Sequence, residues 1–260
     1  MSQLTIQDVS VSFPLYHAES RSLKKTVFAA ASGRLGQDQH QRLVVEALRN
    51  VSFSLKSGER VGLVGSNGAG KTTLLRAMAG IYEPTGGSIT IDGHVTALLD
   101  PGQGMNMELT GNENIRLRAL FNGCSEAEIV RLQEDVAAFA DLDQFLDLPV
   151  RTYSSGMIVR LGFALATAVK PQILLMDEWI LAGDAKFLDK AKHRLESVVK
   201  GAEILVLSSH KAEIMMQWCN RLVWLEGGVV KADGAPDEVL EAYLPAEQFA
   251  QVSAITPIEV

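Results

Sequence analysis

Gly65-Ser66-Asn67-Gly68-Ala69-Gly70-Lys71-Thr72 is the stretch on which the reading of the whole chain turns. It fits G-x-x-x-x-G-K-[ST], the pattern of a phosphate-binding loop. Arg60 to Val64 before it is an apolar, β-branched run that predicts a buried strand. Thr73 to Ala79 after it carries Leu74, Leu75 and Met78 at helical spacing. The loop therefore joins a strand to a helix N-terminus, as its chemistry requires. Its glycines let successive backbone N–H groups converge on one centre, and the helix dipole adds positive potential there. Lys71 supplies a full positive charge for β- and γ-phosphates, and the Thr72 hydroxyl suits Mg²⁺. Residues Gly65 to Thr73 are the candidate triphosphate contacts. A glycine-rich turn with a chance lysine is the competing reading, and the flanking strand and helix weigh against it. The stretch points to a nucleoside triphosphate.

The 260 residues around it suffice for one large α/β domain or two small ones. The formal net charge is −7, with 24 Lys and Arg against 31 Asp and Glu, whereas a general nucleic-acid surface is usually basic. Cys124 and Cys219 lie far apart without metal-ligand spacing and read as buried thiols in a reducing compartment. No N-terminal apolar segment resembles a signal peptide, and no apolar run approaches the ~18–20 residues that span a bilayer. The expectation is a cytoplasmic protein that reaches a membrane only through a partner.

Leu4 to Ser12 alternates apolar and polar residues and predicts a strand with one exposed face. His17 to Glu46 is less regular. Its basic cluster Arg21, Lys24 and Lys25 beside Leu23, Val27 and Phe28 reads equally as a short amphipathic helix plus loop or as a solvated insertion. Ala47 to Leu55 resumes strand patterning. Ser88 to Ile91 and Val95 to Leu99 read as strands joined through Asp92-Gly93. Asn112 to Phe121 and Ser125 to Phe139 are helical, with Ser125 and Glu128 spaced as a capping box. The block from about residue 105 to 160 reads as a helical insert in an α/β domain spanning 1–245. The second half then alternates between helices (Ile158–Val169, Ala185–Val199, Ala212–Trp218) and strands (Ile173–Met176, Ile204–Leu207). A hairpin over Leu222–Val230, turned at Gly227-Gly228, and a helix over Asp237–Tyr243 follow. The tail, 246–260, carries no clear pattern.

Four apolar residues ending in Asp177 make the second half of a nucleotide site, because a carboxylate at that strand end lies near a metal held at Thr72. Glu178, one residue on, points to the opposite side and is placed to polarise water for attack on the γ-phosphate. Ser154, Ser155 and Gly156 open a helix and form a second candidate anion site, although Ser-Ser-Gly is also an ordinary N-cap. His210, after a strand, is a candidate γ-phosphate contact; a lone histidine is more often structural.

In this order, the phosphate loop, a loop with Asp100 and Gln103, the helical block, the Ser-Ser-Gly helix start, Asp177-Glu178, Gly183-Asp184 and His210 resemble the nucleotide-binding subunit of an ATP-binding cassette (ABC) transporter. The resemblance runs from Leu4 to Tyr243. The family signature reads Leu-Ser-Gly-Gly-Gln. Here Tyr153, Ser155 and Met157 depart from it, while Ser154 and Gly156 keep the two positions that touch phosphate. The Tyr-Ser-Ser-Gly-Met form is similar to the branch that exports polysaccharides, O-antigens and teichoic acids, as are Val44–Leu55, Gly80–Gly87 and Glu108–Ile115. The resemblance implies a P-loop NTPase ABC cassette: α/β, with an antiparallel β subdomain and a helical insert subdomain.

It implies ATP and Mg²⁺ as cofactors. It makes Phe13 the aromatic stacked on adenine, with Tyr16 the alternative, and Asp184 the residue coupling two sites across a dimer. It makes His210 the γ-phosphate sensor. Either Asp100 or Gln103 serves as the loop residue that touches Mg²⁺ and the permease, with Asp100 nearer the usual place. Trp179 stands where a proline commonly follows the catalytic glutamate. One loop and one signature per chain imply a homodimer, each signature completing the other chain's site, beneath two copies of an integral membrane permease. The expected place is the cytoplasmic face of the inner membrane, and the expected cargo is a lipid-linked polysaccharide, with no carbohydrate-binding β-domain of the kind some such exporters carry. The alternatives are an ABC transporter of another cargo and a soluble cassette ATPase acting on ribosomes or DNA. The latter wants two cassettes in one chain or a coiled coil with basic surface, and neither is visible.

Overall fold

The apolar run before the phosphate loop is a strand, β4 (Arg60–Val64), at the centre of a largely parallel sheet in the computed structural model. The structure describes residues 1–15, 35–37, 43–99, 104–177 and 185–255. They fall into two units: Met1–Val95 with Gln172–Glu178 and Glu203–Val260, and Thr96–Pro171 with Trp179–Ala202. Within the first unit β4 pairs in parallel with β8 (Ile204–Ser208) on one side and β9 (Arg221–Glu226) on the other. β7 (Ile173–Asp177) extends the parallel set beyond β8, and β10 (Val229–Gly234) closes the other edge antiparallel to β9. Residues 61–64 and all five residues of β8 are buried. Strands covered on both faces need such unbroken apolar runs.

The same unit holds an antiparallel sheet in the order β2-β3-β1-β5: β1 (Gln3–Pro14), β2 (Leu35–Gln37), β3 (Leu43–Lys56) and β5 (Gly86–Asp92). Leu4 and Ile6 face inward on β1, and simple alternation would then bury Asp8. Instead Asp8 takes φ 51° at a register shift, and Val9 and Val11 return to the buried face. Two expectations are corrected here. Leu35–Gln37 and the residues from Leu43 onward are strands, paired with each other, and no part of a loop. β5 does not pair with the strand that follows it across Asp92-Gly93; it pairs with β1, from Gln3↔Asp92 to Ser10↔Gly86. β6 (Val95–Leu98) then carries the chain into the second unit.

Helix α1 (Lys71–Met78) follows the phosphate loop in the first unit. The second unit contains α2 (Gly111–Phe121), α3 (Glu126–Ala140), α4 (Ser155–Thr167) and α5 (Ala185–Gly201). α3 has the expected box, Ser125 donating through both N and Oγ to Glu128 Oε2. α2 has another, Thr110 N to Glu113 Oε2 at 2.8 Å and Glu113 N to Thr110 Oγ1 at 3.1 Å. This unit is larger than the helical block read from sequence because α4 and α5 pack with α3. Phe139 of α3 stacks on Phe163 of α4 (5.5 Å between centroids) and meets Phe187 of α5 edge-on (5.7 Å). Lys190 Nζ of α5 caps the end of α3, donating to the Ala138 and Phe139 carbonyls at 2.8 and 3.0 Å.

The first unit ends in α6 (Ala212–Trp218), α7 (Pro236–Tyr243) and α8 (Ala246–Val252), the last in the tail for which the sequence offered no pattern. Val252 is buried, which orders that turn of chain. Cys219 is buried and burial pushes its thiol up to about 12, whereas Cys124 is only half-buried, against the expectation of two buried thiols. No helix among the described residues is long and apolar enough to cross a membrane.

One side chain ties both sheets of the first unit together. Arg221 on β9 donates from Nη1 to Glu59 Oε1 (2.6 Å) and to the Ser54 carbonyl of β3 (2.9 Å). Its Nε and Nη2 make a two-point contact with Asp233 of β10 at 2.7 and 2.8 Å. These bonds raise the Arg221 pKa further above its ordinary value. With all three side chains about a quarter exposed, water screens part of the gain. Arg221→Met should cost about 2 kcal/mol in urea unfolding, because two carboxylates lose one shared cation. Arg221→Lys should recover only part of it, lacking the planar fork.

Candidate functional site

A loop that binds anions with its backbone must aim N–H groups at one point and dispose of its carbonyls elsewhere. Here Lys71 Nζ reaches back under the loop and donates to the Gly65 carbonyl at 2.6 Å and the Ser66 carbonyl at 3.3 Å. The Ala69 N–H closes a tight turn onto the Ser66 carbonyl at 3.0 Å. The first intrahelical bond of α1 is Leu74 N to Gly70 O at 2.8 Å, so the N–H groups of Lys71, Thr72 and Thr73 precede it. Gly65, Gly68 and Gly70 have φ of 146°, 78° and 112°. At Gly65 a Cβ would also meet the Leu225 carbonyl at 2.2 Å, so both backbone angle and space demand glycine.

Residues 67–73 line an open cleft of about 380 Å³ together with Ala47, Asp177, Ser208 and His210. Asp177 is the last residue of β7 and Ser208 is its partner in register on β8, so two parallel strands deliver their C-terminal polar residues to the helix N-terminus. His210 follows two residues later. The cleft thus brings together Lys71, Thr72, Thr73, Asp177 and His210 from distant parts of the sequence. Sequence reasoning missed Ser208 as a lining residue. Its signal was a polar residue ending an apolar strand of the same type as the one ending in Asp177.

Other candidates fall elsewhere. Phe13, near the end of β1, is outside the cleft lining, half-exposed, and packs edge-on against Tyr82 at 5.2 Å. Tyr82 in turn accepts a bond from Arg76 of α1 at 2.9 Å. Ser154, Ser155 and Gly156 belong to the second unit, at the start of α4. Ser154 and Ser155 are exposed, and Ser154 Oγ accepts from Met157 N at 3.3 Å. Tyr16, Asp100, Gln103, Glu178 and Asp184 lie outside the described residues.

Residues 48–181 match the family described as ABC transporter. The chain is 44% identical over 231 residues to the O-antigen export system ATP-binding protein RfbE of Yersinia enterocolitica, covering 88% of this chain and 97% of that one. The chain belongs to the ABC transporter family. The resemblance read from its motifs is borne out. It is also 36% identical to the O-antigen export system ATP-binding protein RfbB of Myxococcus xanthus, over 99% of this chain and 59% of that one. It is 38% identical to the teichoic acids export ATP-binding protein TagH of Lactococcus lactis, over 85% and 47%. The chain therefore spans about three-fifths and one-half of those two relatives. A solved ATP-binding subunit of an ABC transporter superposes with a TM-score of 0.68 at 25% identity, over 96% of this chain and 99% of that one. A dimeric ATP-binding cassette in a post-hydrolysis state, bound to ADP and phosphate, shares the fold with a TM-score of 0.64 at 21% identity, over 90% and 98%.

Tyr153 stands where the family signature has leucine, and its surroundings explain how the exchange is accommodated. The ring is buried and its hydroxyl donates to the Phe145 carbonyl at 2.5 Å, beside Gly111, where a Cβ would come within 2.6 Å of it. Burial raises its pKa above the ordinary tyrosine value. Tyr153→Leu should therefore cost about 1 kcal/mol in thermal or urea unfolding through the lost bond. Nucleotide affinity of the monomer should be unchanged, since the residue lies outside the phosphate loop.

Proposed function

We propose that this chain is the ATP-hydrolysing subunit of an ABC exporter, working as a homodimer beneath two copies of an integral permease to move a lipid-linked polysaccharide across the inner membrane. The observation that carries the nucleotide part is the single cleft that joins the phosphate loop to Asp177 and His210. Lys71 and the loop N–H groups bind and orient the β- and γ-phosphates. Thr72 and Asp177 fit Mg²⁺, because a hydroxyl and a carboxylate in one cleft are the hard oxygen donors it takes, with Asp100 or Gln103 as a further donor. When bound, the ion draws charge off the triphosphate. Glu178, next after Asp177, accepts the proton of the attacking water, and His210 contacts the γ-phosphate. Phe13, or Tyr16, carries the adenine.

Ser154, Ser155 and Gly156 serve the partner's nucleotide. What supports this is their exposure at a helix N-terminus in a unit separate from the phosphate loop. Asp184 couples the two sites. The cargo reading is supported by the export relatives, above all the one matched over nearly its whole length.

If Ser154 completes the partner's site, Ser154→Arg should abolish hydrolysis while each monomer still binds ATP. Lys71→Ala should be inactive for the opposite reason. Mixing the two inactive proteins should restore activity, because a mixed dimer keeps one site with Lys71 from one chain and Ser154 from the other. A serine that only caps its own helix predicts about 1 kcal/mol of lost stability and no rescue. ATPase rate across mixing ratios is the measurement, and a flat background with mixed dimers present refutes the shared site.

For the cargo, removal of the chain from its bacterium should strip polysaccharide from the surface and leave lipid-linked polymer inside. An unchanged surface would assign the chain another cargo.

A further inference from the structure

We propose that the tip of the β9–β10 hairpin, Gly227-Gly228, held down by Arg49, is a positioning device that aims the phosphate loop. The proposal rests on the nucleotide reading of the cleft and adds residues that lie outside the loop motif.

Gly228 bridges two elements that are far apart in sequence. Its N–H donates to the Ala69 carbonyl at 3.0 Å, and its own carbonyl accepts from Arg49 N on β3 at 2.8 Å. Arg49 Nη2 adds a bond to the Gly227 carbonyl at 3.1 Å. In a trans peptide the C=O and the following N–H point in opposite directions, and the described residues contain no cis bond. Turning the Ala69 carbonyl out to the hairpin therefore turns the Gly70 N–H the other way, toward the cleft that Ala69 and Gly70 line.

The tip fits this place only as glycine. Gly228 has φ 83°, and a Cβ on it would stand 2.5 Å from the Ala47 carbonyl and 3.3 Å from Leu48 Cα. Gly70 is pressed by the same strand, its Cβ position falling 2.8 Å from Leu48 Cδ2 and 2.9 Å from the Ala47 carbonyl. The loop, the hairpin tip and β3 at Ala47–Arg49 are wedged together. Displacing the tip frees the Ala69 carbonyl to rotate and takes the Gly70 N–H out of line.

The test uses the full chain and calorimetric titration with Mg-ATP, at a temperature where every variant is folded. Gly228→Ala should weaken ATP binding about 10-fold, the weight of one charge-assisted backbone bond. Gly58→Ala is the control, because Gly58 has φ 92° with nothing within 4 Å of its Cβ position. It carries the same backbone strain without the contact, and should lose stability but no affinity. Arg49→Met should weaken binding by a smaller factor, and Arg49→Lys, which keeps a donor for the Gly227 carbonyl, should recover most of it. Wild-type affinity in Gly228→Ala with a lowered Tm would reduce the tip to a structural role and overturn the proposal. Should that variant not fold, wild-type affinity in Arg49→Met overturns it equally. A wild-type chain that does not bind ATP at all would overturn the nucleotide reading beneath it, a result distinguishable from the other two.

Discussion

The structure depends on how the phosphate loop spends its backbone groups. Every N–H aimed at an anion is withheld from other partners, and every peptide so turned sends a carbonyl the opposite way that needs a donor. Three sources supply donors here. Lys71 serves the Gly65 and Ser66 carbonyls, the loop's own Ala69 N–H serves Ser66, and the hairpin tip serves Ala69. The parallel sheet then places β4, β7 and β8 so that their C-terminal ends open on the same helix N-terminus. Lys71 is buried, and its contacts with the Gly65 and Ser66 carbonyls keep that burial from being an uncompensated cost.

Local constraint explains what was legible from the amino acids. The loop motif, β4 at Arg60–Val64 and α6 at Ala212–Trp218 read with the bounds they have, because their signals are apolar runs and glycines within a few residues. The capping box at Thr110 and Glu113 was legible too, three residues apart, but only the one at Ser125 was read. What could not be read was pairing over distance. β5 follows β4 and α1 in sequence and precedes β6, yet its partner is β1 at the start of the chain. Nothing near Asp92-Gly93 distinguishes a hairpin turn from a strand leaving its sheet. The shift at Asp8 was equally hidden, since Asp at a positive φ looks like an ordinary polar position in an alternating strand.

For the site, Asp177 was legible as the polar residue ending an apolar strand and His210 as a residue just after another, and Ser208 carried the same mark as Asp177 unread. Gly227-Gly228 was legible only as a turn. That the turn also supplies a donor to the loop is a fact of tertiary packing between residues 69 and 228. Phe13 shows the reverse case. Its aromatic identity was legible, but its edge-on engagement with Tyr82 and, through it, Arg76 was not. The ring is braced on one side by neighbours that the motif reading did not include.

The start of α4 joins the structural and functional readings of the signature. Ser154 Oγ accepts from Met157 N at 3.3 Å, a long bond for a cap, and the residue is exposed. A serine hydroxyl has two lone pairs and one proton, so accepting that N–H leaves the proton to be donated. An anion arriving at this helix end can take the proton while the cap stays in place. Capping and phosphate contact are therefore compatible roles of one atom. The cap helps the second by fixing the rotamer, and Tyr153 before it fixes the backbone, its hydroxyl tied to the Phe145 carbonyl. The departure from leucine at that position thus changes how the helix start is anchored and leaves the Ser154 cap in place.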